Sequence, residues 1–195
     1  MQLPPISGEI ATDLSSRIRY ATDASVYREM PVAVVFPKTV DDISKLLAFA
    51  KQQHLSVIPR AAGTSLAGQV VGKGIVMDIT RYFNRILEIN AEERYAIVEP
   101  GVVRDELNLA LAPYGLFFAP ETATSNRCCV GGMAGNNSCG ANSLVYGSTR
   151  QHVLSMEVVL SDGSRCTFGN VSEEEFRQKC ELPTLEGKIY RSVYN

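Results

Sequence analysis

Val32-Ala-Val-Val-Phe-Pro-Lys-Thr-Val-Asp-Asp-Ile-Ser-Lys-Leu-Leu-Ala-Phe-Ala-Lys-Gln-Gln-His-Leu-Ser-Val-Ile58 reads as strand, helix, strand. Val32–Phe36 is a continuous apolar, β-branched run stopped by Pro37, the pattern of a strand buried on both faces. Thr39 stands three residues before Asp42, a capping box with Asp in place of Glu. Behind it Ile43, Leu46, Leu47 and Ala50 recur at helical spacing, so the helix runs to about Gln53. Leu55–Ile58 is a second short strand that ends at Pro59. Two strands joined by one helix predict a right-handed crossover and a parallel pair.

Working outward, residues 1–26 form an arm with one short helix over Asp13–Tyr20. Downstream, Gly74–Asp78, Ile86–Ile89 and Tyr95–Val98 are three short strands, and Val103–Leu111 is an amphipathic helix. Met156–Leu160 and Arg165–Phe168 flank an Asp-Gly turn and predict a hairpin. Ser172 and Glu175 repeat the capping-box spacing and open a last helix. Residues 120–149 show little periodicity, and a loop of that length inside a compact domain is expected to hold something. The fold class is α+β: a small parallel βαβ subdomain, a mainly antiparallel sheet and flanking helices. Residues 27–170 form the main domain, and 171–195 begin a following segment that stops with no compositional sign of a natural end.

Composition narrows the function. The 195 residues are 45% hydrophobic and 21% charged, with a net charge of -2, so no basic excess serves general nucleic-acid binding. No apolar run approaches the roughly 20 residues of a membrane helix, and the N-terminus has no signal-peptide pattern. The five cysteines form no Cys-x-x-Cys pair and fit neither zinc nor iron–sulfur spacing; they read as reduced thiols of a cytoplasmic protein. His54 closes the first helix, and His152 has no nucleophile to pair with. Cys128-Cys129 reads as small buried thiols.

Two glycine-rich segments carry the functional argument. Pro59-Arg-Ala-Ala-Gly-Thr-Ser-Leu-Ala-Gly-Gln69 has the glycine spacing of a P-loop between Gly63 and Gly68, but lacks the Lys and hydroxyl that must follow. Gly72-Lys-Gly74 opens a dinucleotide fingerprint that Met77 breaks. What remains is a tight turn whose successive N–H groups form an anion nest, with hydroxyls from Thr64 and Ser65 and a nearby Arg60. From its own residues it is equally a plain surface turn. Cys129-Val-Gly-Gly-Met-Ala-Gly-Asn-Asn-Ser-Cys-Gly140 has four glycines in ten residues, which permits a close backbone approach, and two asparagines that tolerate left-handed backbone. Two such segments suggest one extended ligand held from both sides.

Together, Pro59-Arg-x-x-Gly-Thr-Ser-Leu-x-Gly68, Gly131-Gly-Met-x-x-Asn-Asn-x-x-Gly140, Tyr146–Arg150 and Glu157–Gly163 resemble the PCMH-type FAD-binding domain of the vanillyl-alcohol oxidase and p-cresol methylhydroxylase superfamily. Within it the chain is most similar to the glycolate oxidase, D-lactate dehydrogenase and D-2-hydroxyglutarate dehydrogenase branch. The sugar-nucleotide reductase branch shares the domain, but Gly131–Gly140 favours the hydroxy-acid one. The resemblance implies a pyrophosphate loop at Arg60, Ala61, Ala62, Gly63, Thr64, Ser65 and Leu66. It implies further FAD contacts at Pro120, Thr122, Val130, Gly131, Gly132, Asn136, Asn137, Ser138, Cys139 and Gly140, with the Val159 backbone at the adenine. Relatives usually have two glycines where Ala61 and Ala62 stand, and alanine disfavours positive φ. The loop has no histidine of the kind that binds flavin covalently, so FAD is expected to be dissociable. The implied chemistry is hydride transfer from the α-carbon of a 2-hydroxy acid to flavin. Its substrate domain follows in sequence and is absent here, and an iron–sulfur electron-transfer module is a possible partner. Other readings are a non-catalytic flavin module of a larger complex and loops that bind a different phosphate ligand.

Overall fold

The computed structural model describes residues 3–194. Strand β1 (Glu9–Ala11) and helix α1 (Leu14–Arg19, capped by Asp13) precede β2 (Ala33–Phe36), α2 (Val40–Gln52), β3 (Val57–Arg60) and β4 (Ile75–Asp78). The four strands form one sheet in the order β1-β2-β4-β3, with β2 and β3 each parallel to β4 and β1 antiparallel to β2. The capping box at Thr39 and Asp42 is present in full. Asp42 is 1% exposed and also accepts from Ser7 and Lys38. Burial alone would raise its pKa, but these donors outweigh it and hold the carboxyl well below the ordinary carboxylate range.

The parallel pair differs from the sequence expectation in one respect. β2 and β3 run parallel, yet β4 lies between them. All four residues of β4 are buried, which suits a central strand covered on both faces. Pro59 of β3 has no N–H to give to a ladder and is accommodated at the sheet edge. α2 covers one face, where Val35, Leu46, Ala50, Ile75 and Met77 form the first core cluster.

A second layer begins with the hairpin β5 (Ile86–Asn90) and β6 (Tyr95–Val98), followed by α3 (Arg104–Leu111). Val102, Leu107 and Leu111 pack there with Val98, Phe118 and Val130 as the second core cluster. The segment 120–149, expected as a loop, contains α4 (Val130–Asn136) and a short α5 (Ser143–Tyr146). Glycines at 131, 132 and 135 obscure α4 in the sequence because they weaken helix propensity. Its first turn is fixed by tertiary bonds instead: Val130 N–H to the Val102 carbonyl at 2.9 Å and Gly131 N–H to the Pro100 carbonyl at 2.8 Å. The hairpin β7 (Ser155–Val159) and β8 (Arg165–Gly169) packs on α2, where Ser44 donates to the Gly163 carbonyl at 3.2 Å. Helices α6 (Glu173–Glu181) and α7 (Leu185–Tyr194) close the chain as a helical pair, with Tyr190 between Phe168 and Phe176. No helix among the described residues is long and apolar enough to cross a membrane.

Candidate functional site

The first glycine-rich segment is the turn that leaves the C-terminal end of β3. Gly63 has φ +69° and Gly68 φ +74°, the left-handed geometry that favours glycine. Ala61 and Ala62 are not among the positive-φ residues, so the turn asks no left-handed backbone of either alanine. Among the described residues, no backbone acceptor is assigned to the N–H groups of Gly63, Thr64, Ser65 or Leu66. Leu66 projects to solvent, 80% exposed.

The second segment opens α4 directly opposite. A Cβ added at Gly132 would meet only the Ala61 Cβ, at 3.6 Å, so the two backbones approach each other closely along a narrow strip. Gly132 N–H, the third of the helix, likewise has no described acceptor, whereas its two predecessors donate to the Val102 and Pro100 carbonyls. Gly131 differs: a Cβ there would lie 2.4 Å from the Pro100 Cβ, so it is glycine for packing. Cys129, 4% exposed, lies with its sulfur against the Ala62 N–H. Burial pushes the Cys129 thiol up to about 11, against the pull of that N–H.

Side chains tie the two segments further. Gln69 donates to Asn136 Oδ1 at 2.6 Å and accepts from the Ser65 hydroxyl, while Asn136 donates to the Gly132 carbonyl at 3.0 Å. Asn137 adopts the left-handed C-cap of α4 at φ +46°, and its side chain accepts from the Arg150 N–H at 2.9 Å. Ser138 accepts from the N–H and hydroxyl of fully buried Thr149 at 3.0 and 2.7 Å. Asn137 and Ser138 therefore fix the far end of α4. Cys139 is exposed, and Gly140 passes tightly over Glu121, where a Cβ would lie 2.7 Å from the Glu121 carbonyl oxygen.

Pro120 is fully buried, its carbonyl held by Arg104 Nε at 3.0 Å, and Thr122 donates to the Cys128 sulfur at 3.1 Å. Val130 sits in the second core cluster with its N–H bound to Val102. The site thus brings together loop 60–66, the α4 start and Asn136. Val159 lies apart on the β7–β8 hairpin, paired with Arg165, and no described hydrogen bond joins it to either glycine-rich segment. His152 bonds the Tyr146 carbonyl at 2.7 Å, and His54 takes the left-handed position after α2 at φ +54°. Gln69, and the contact of Cys129 with the opposite loop, escape the sequence reading, since a glutamine and a thiol carry no motif until the loops are seen to meet.

A strip with the unassigned N–H groups of residues 63–66 on one side and that of Gly132 on the other suits a ligand with adjoining phosphates. Among the described residues no cluster of His, Cys, Asp and Glu could hold a metal ion. A family profile for the FAD binding domain matches residues 31–169. D-2-hydroxyglutarate dehydrogenase of Pseudomonas putida is 43% identical over 187 residues, 94% of this chain and 19% of that protein. Its counterpart in Haemophilus influenzae is 45% identical, over 99% of this chain and 19% of its own length. A glycolate oxidase subunit of Bacillus subtilis is 36% identical, over 83% of this chain and 35% of that one. The chain therefore spans about a fifth of the length of the dehydrogenases it matches. Among solved structures, 6-hydroxy-D-nicotine oxidase of Arthrobacter nicotinovorans superposes with TM-score 0.75 at 23% identity, over 88% of this chain and 38% of that one. p-Cresol methylhydroxylase superposes with TM-score 0.71 at 20% identity, over 81% of this chain and 32% of that one. These two share the fold.

Proposed function

The chain belongs to the FAD binding domain family, and from that premise we propose that it is the flavin-holding portion of an oxidoreductase acting on a 2-hydroxy acid. The observation that carries the reading is the strip between Ala61 and Gly132, where two glycine-rich backbones with unassigned N–H groups face each other. Ala61, Ala62, Gly63, Thr64, Ser65 and Leu66 line the diphosphate, with Thr64 and Ser65 offering hydroxyls and Arg60 lying beneath the turn. At the α4 start, where Val130 and Gly131 give their N–H groups to the Val102 and Pro100 carbonyls, Gly132 adds its own N–H. Asn136 closes the strip through Gln69. Pro120, Thr122, Asn137, Ser138, Cys139 and Gly140 shape the surrounding segment, and Val159 meets the adenine.

FAD held by these segments would supply a two-electron acceptor, able to take a hydride from the α-carbon of a 2-hydroxy acid whose hydroxyl proton passes to a base, giving the 2-oxo acid. This chain's task is to bind and orient the cofactor. The buried Cys129 thiol, its titration raised by burial, stays neutral beside the Ala62 N–H. With no histidine in loop 60–66, the flavin is held without a covalent bond. The names of the relatives favour D-2-hydroxyglutarate, D-lactate or glycolate-like substrates, read together with motifs spread over most of this chain. The substrate base, the substrate domain and an iron–sulfur electron acceptor then belong to polypeptide beyond this fifth of the length. Reduced thiols agree with a cytoplasmic setting.

The test is anaerobic bleaching of chain-bound flavin by dithionite, followed by D-2-hydroxyglutarate, D-lactate and glycolate. The reading predicts full bleaching by dithionite, none by the acids with this chain alone, and bleaching by one acid once the remaining polypeptide is present. Turnover by this chain alone would contradict the assignment of the substrate base elsewhere. A flavin that no hydroxy acid reduces in the whole protein would favour a non-catalytic module.

A further inference from the structure

Arg60 is 9% exposed, yet no carboxylate among the described residues forms an ion pair with it. Its Nη1 donates to the carbonyls of Thr22 at 2.8 Å and Tyr20 at 3.4 Å, and its guanidinium lies 5.1 Å from the centre of the Tyr20 ring. Tyr20 is itself fixed, donating to Asp78 at 2.5 Å, while the other Asp78 oxygen accepts from the N–H and hydroxyl of Thr80 at 2.7 Å each. Carbonyl dipoles and a ring face offset part of the cost of burying a cation. An anion above the loop would supply the remainder.

The guanidinium also sits beneath the turn. A Cβ at Gly63 would come 2.5 Å from Nη2, so the Gly63 backbone rests directly on the Arg60 side chain. The segment that grips Arg60 grips the loop as well: Ala24 N–H donates to the Gly63 carbonyl at 3.1 Å. Tyr27 lies against Gly68, where a Cβ would approach its ring to 2.5 Å. This segment is closed on itself by the Thr22–Arg28 bridge and by Glu29 N–H to the Ala21 carbonyl at 2.9 Å, with Ala21 fully buried. It precedes the matched family region, which begins at residue 31.

Resting on the flavin reading, we propose that Arg60 is a positioning residue that acts from beneath the diphosphate loop. Residues 20–27 are the strap that holds it there. The strap fixes the guanidinium, the guanidinium supports the left-handed Gly63 turn, and the turn keeps its N–H groups for the ligand. A lysine cannot do this, because the task needs a planar fork with one arm, Nη1, on the two carbonyls and the other, Nη2, under Gly63.

The test titrates the 195-residue chain with FAD, and with ADP and adenosine as competitors, for wild type, Arg60→Met, Arg60→Lys, Tyr20→Leu and the Arg60→Met/Tyr20→Leu pair. Arg60→Met and Arg60→Lys should each weaken FAD and ADP by about tenfold or more, with adenosine unmoved. Tyr20→Leu should do the same, and the double variant should be at most about threefold worse than the worse single one. Restored affinity in Arg60→Lys, multiplicative effects in the pair, or an equal loss for adenosine would each overturn the proposal. Should Arg60→Met not fold, Tyr20→Phe carries the same comparison, since it removes the bond to Asp78 and keeps the ring. A wild-type chain that binds neither FAD nor ADP would refute the flavin reading itself; wild-type binding with unmoved variants would refute only the strap.

Discussion

Gly131 and Gly132 are neighbours in α4, yet the structure assigns them opposite duties, and alanine at each should separate stability from flavin binding. At Gly131 the new Cβ would lie 2.4 Å from the Pro100 Cβ and 2.9 Å from its carbonyl oxygen. With a proline ring and a backbone oxygen as the obstacles, overpacking falls in the upper part of its usual range, about 2–3 kcal/mol, and the gain in helix propensity returns about 1 kcal/mol. A net loss of roughly 1–2 kcal/mol lowers Tm by about 2–8 °C in a chain of this size. At Gly132 the only neighbour is Ala61 at 3.6 Å, an ordinary contact, so Gly132→Ala should leave the Tm of the flavin-free chain equal or up to about 4 °C higher. The same methyl group occupies the strip where the diphosphate approaches. Displacing one charge-assisted hydrogen bond costs about 1.5–3 kcal/mol, or roughly tenfold to a hundredfold in Kd. Thermal melts of the flavin-free variants and FAD fluorescence titrations read the two effects separately. Unchanged FAD affinity in Gly132→Ala, or an unchanged melt in Gly131→Ala, would refute the assignment; Gly132→Val, with a bulkier group, should abolish retention.

Ser65→Ala removes the hydroxyl that donates to Gln69 and should weaken FAD by about 1 kcal/mol, roughly fivefold by equilibrium dialysis. Cys129 titrates from an ordinary 9.0 to about 11 in the fold, so the unfolded chain loses its proton first as pH rises. The contribution of Cys129 to stability is therefore full below about pH 9 and declines towards 11, a slope that urea melts should find reduced in Cys129→Ala. Exposed Cys139 should react with a thiol reagent at neutral pH well before buried Cys129. Asp42 has its folded pKa depressed, so its contribution is present above about pH 4 and lost as pH falls below it. Asp42→Asn should flatten the acid limb of the stability profile, and an unchanged limb would remove Asp42 from the account.

The strands and helices with strong periodicity were legible because their residues meet local rules: β2 as a buried apolar run, α2 through its capping box, and the β7–β8 hairpin through its Asp-Gly turn. The place of β4 between β2 and β3 was not, because strand order depends on which strand buries both faces and which can tolerate Pro59 at an edge. α4 was hidden for a related reason. Its first turn is held by the Val102 and Pro100 carbonyls, long-range partners that no local pattern records, while its own glycines read as loop. The two glycine-rich segments were recognisable by composition and by resemblance to a known family. Their meeting at Ala61 and Gly132, the Gln69–Asn136 link and the burial of Arg60 under Gly63 are products of packing. Arg60 looked like a direct phosphate partner in the sequence; the fold commits its Nη1 to the arm that precedes the domain.

The visible absorption spectrum of the folded chain, after incubation with FAD and desalting, tests the central claim most directly. The account predicts a retained flavin band that acid releases in full into the supernatant, and that is lost in Gly132→Val. A chain shown to be folded by its far-UV spectrum that retains no flavin, or one whose flavin stays with the acid precipitate, would contradict it.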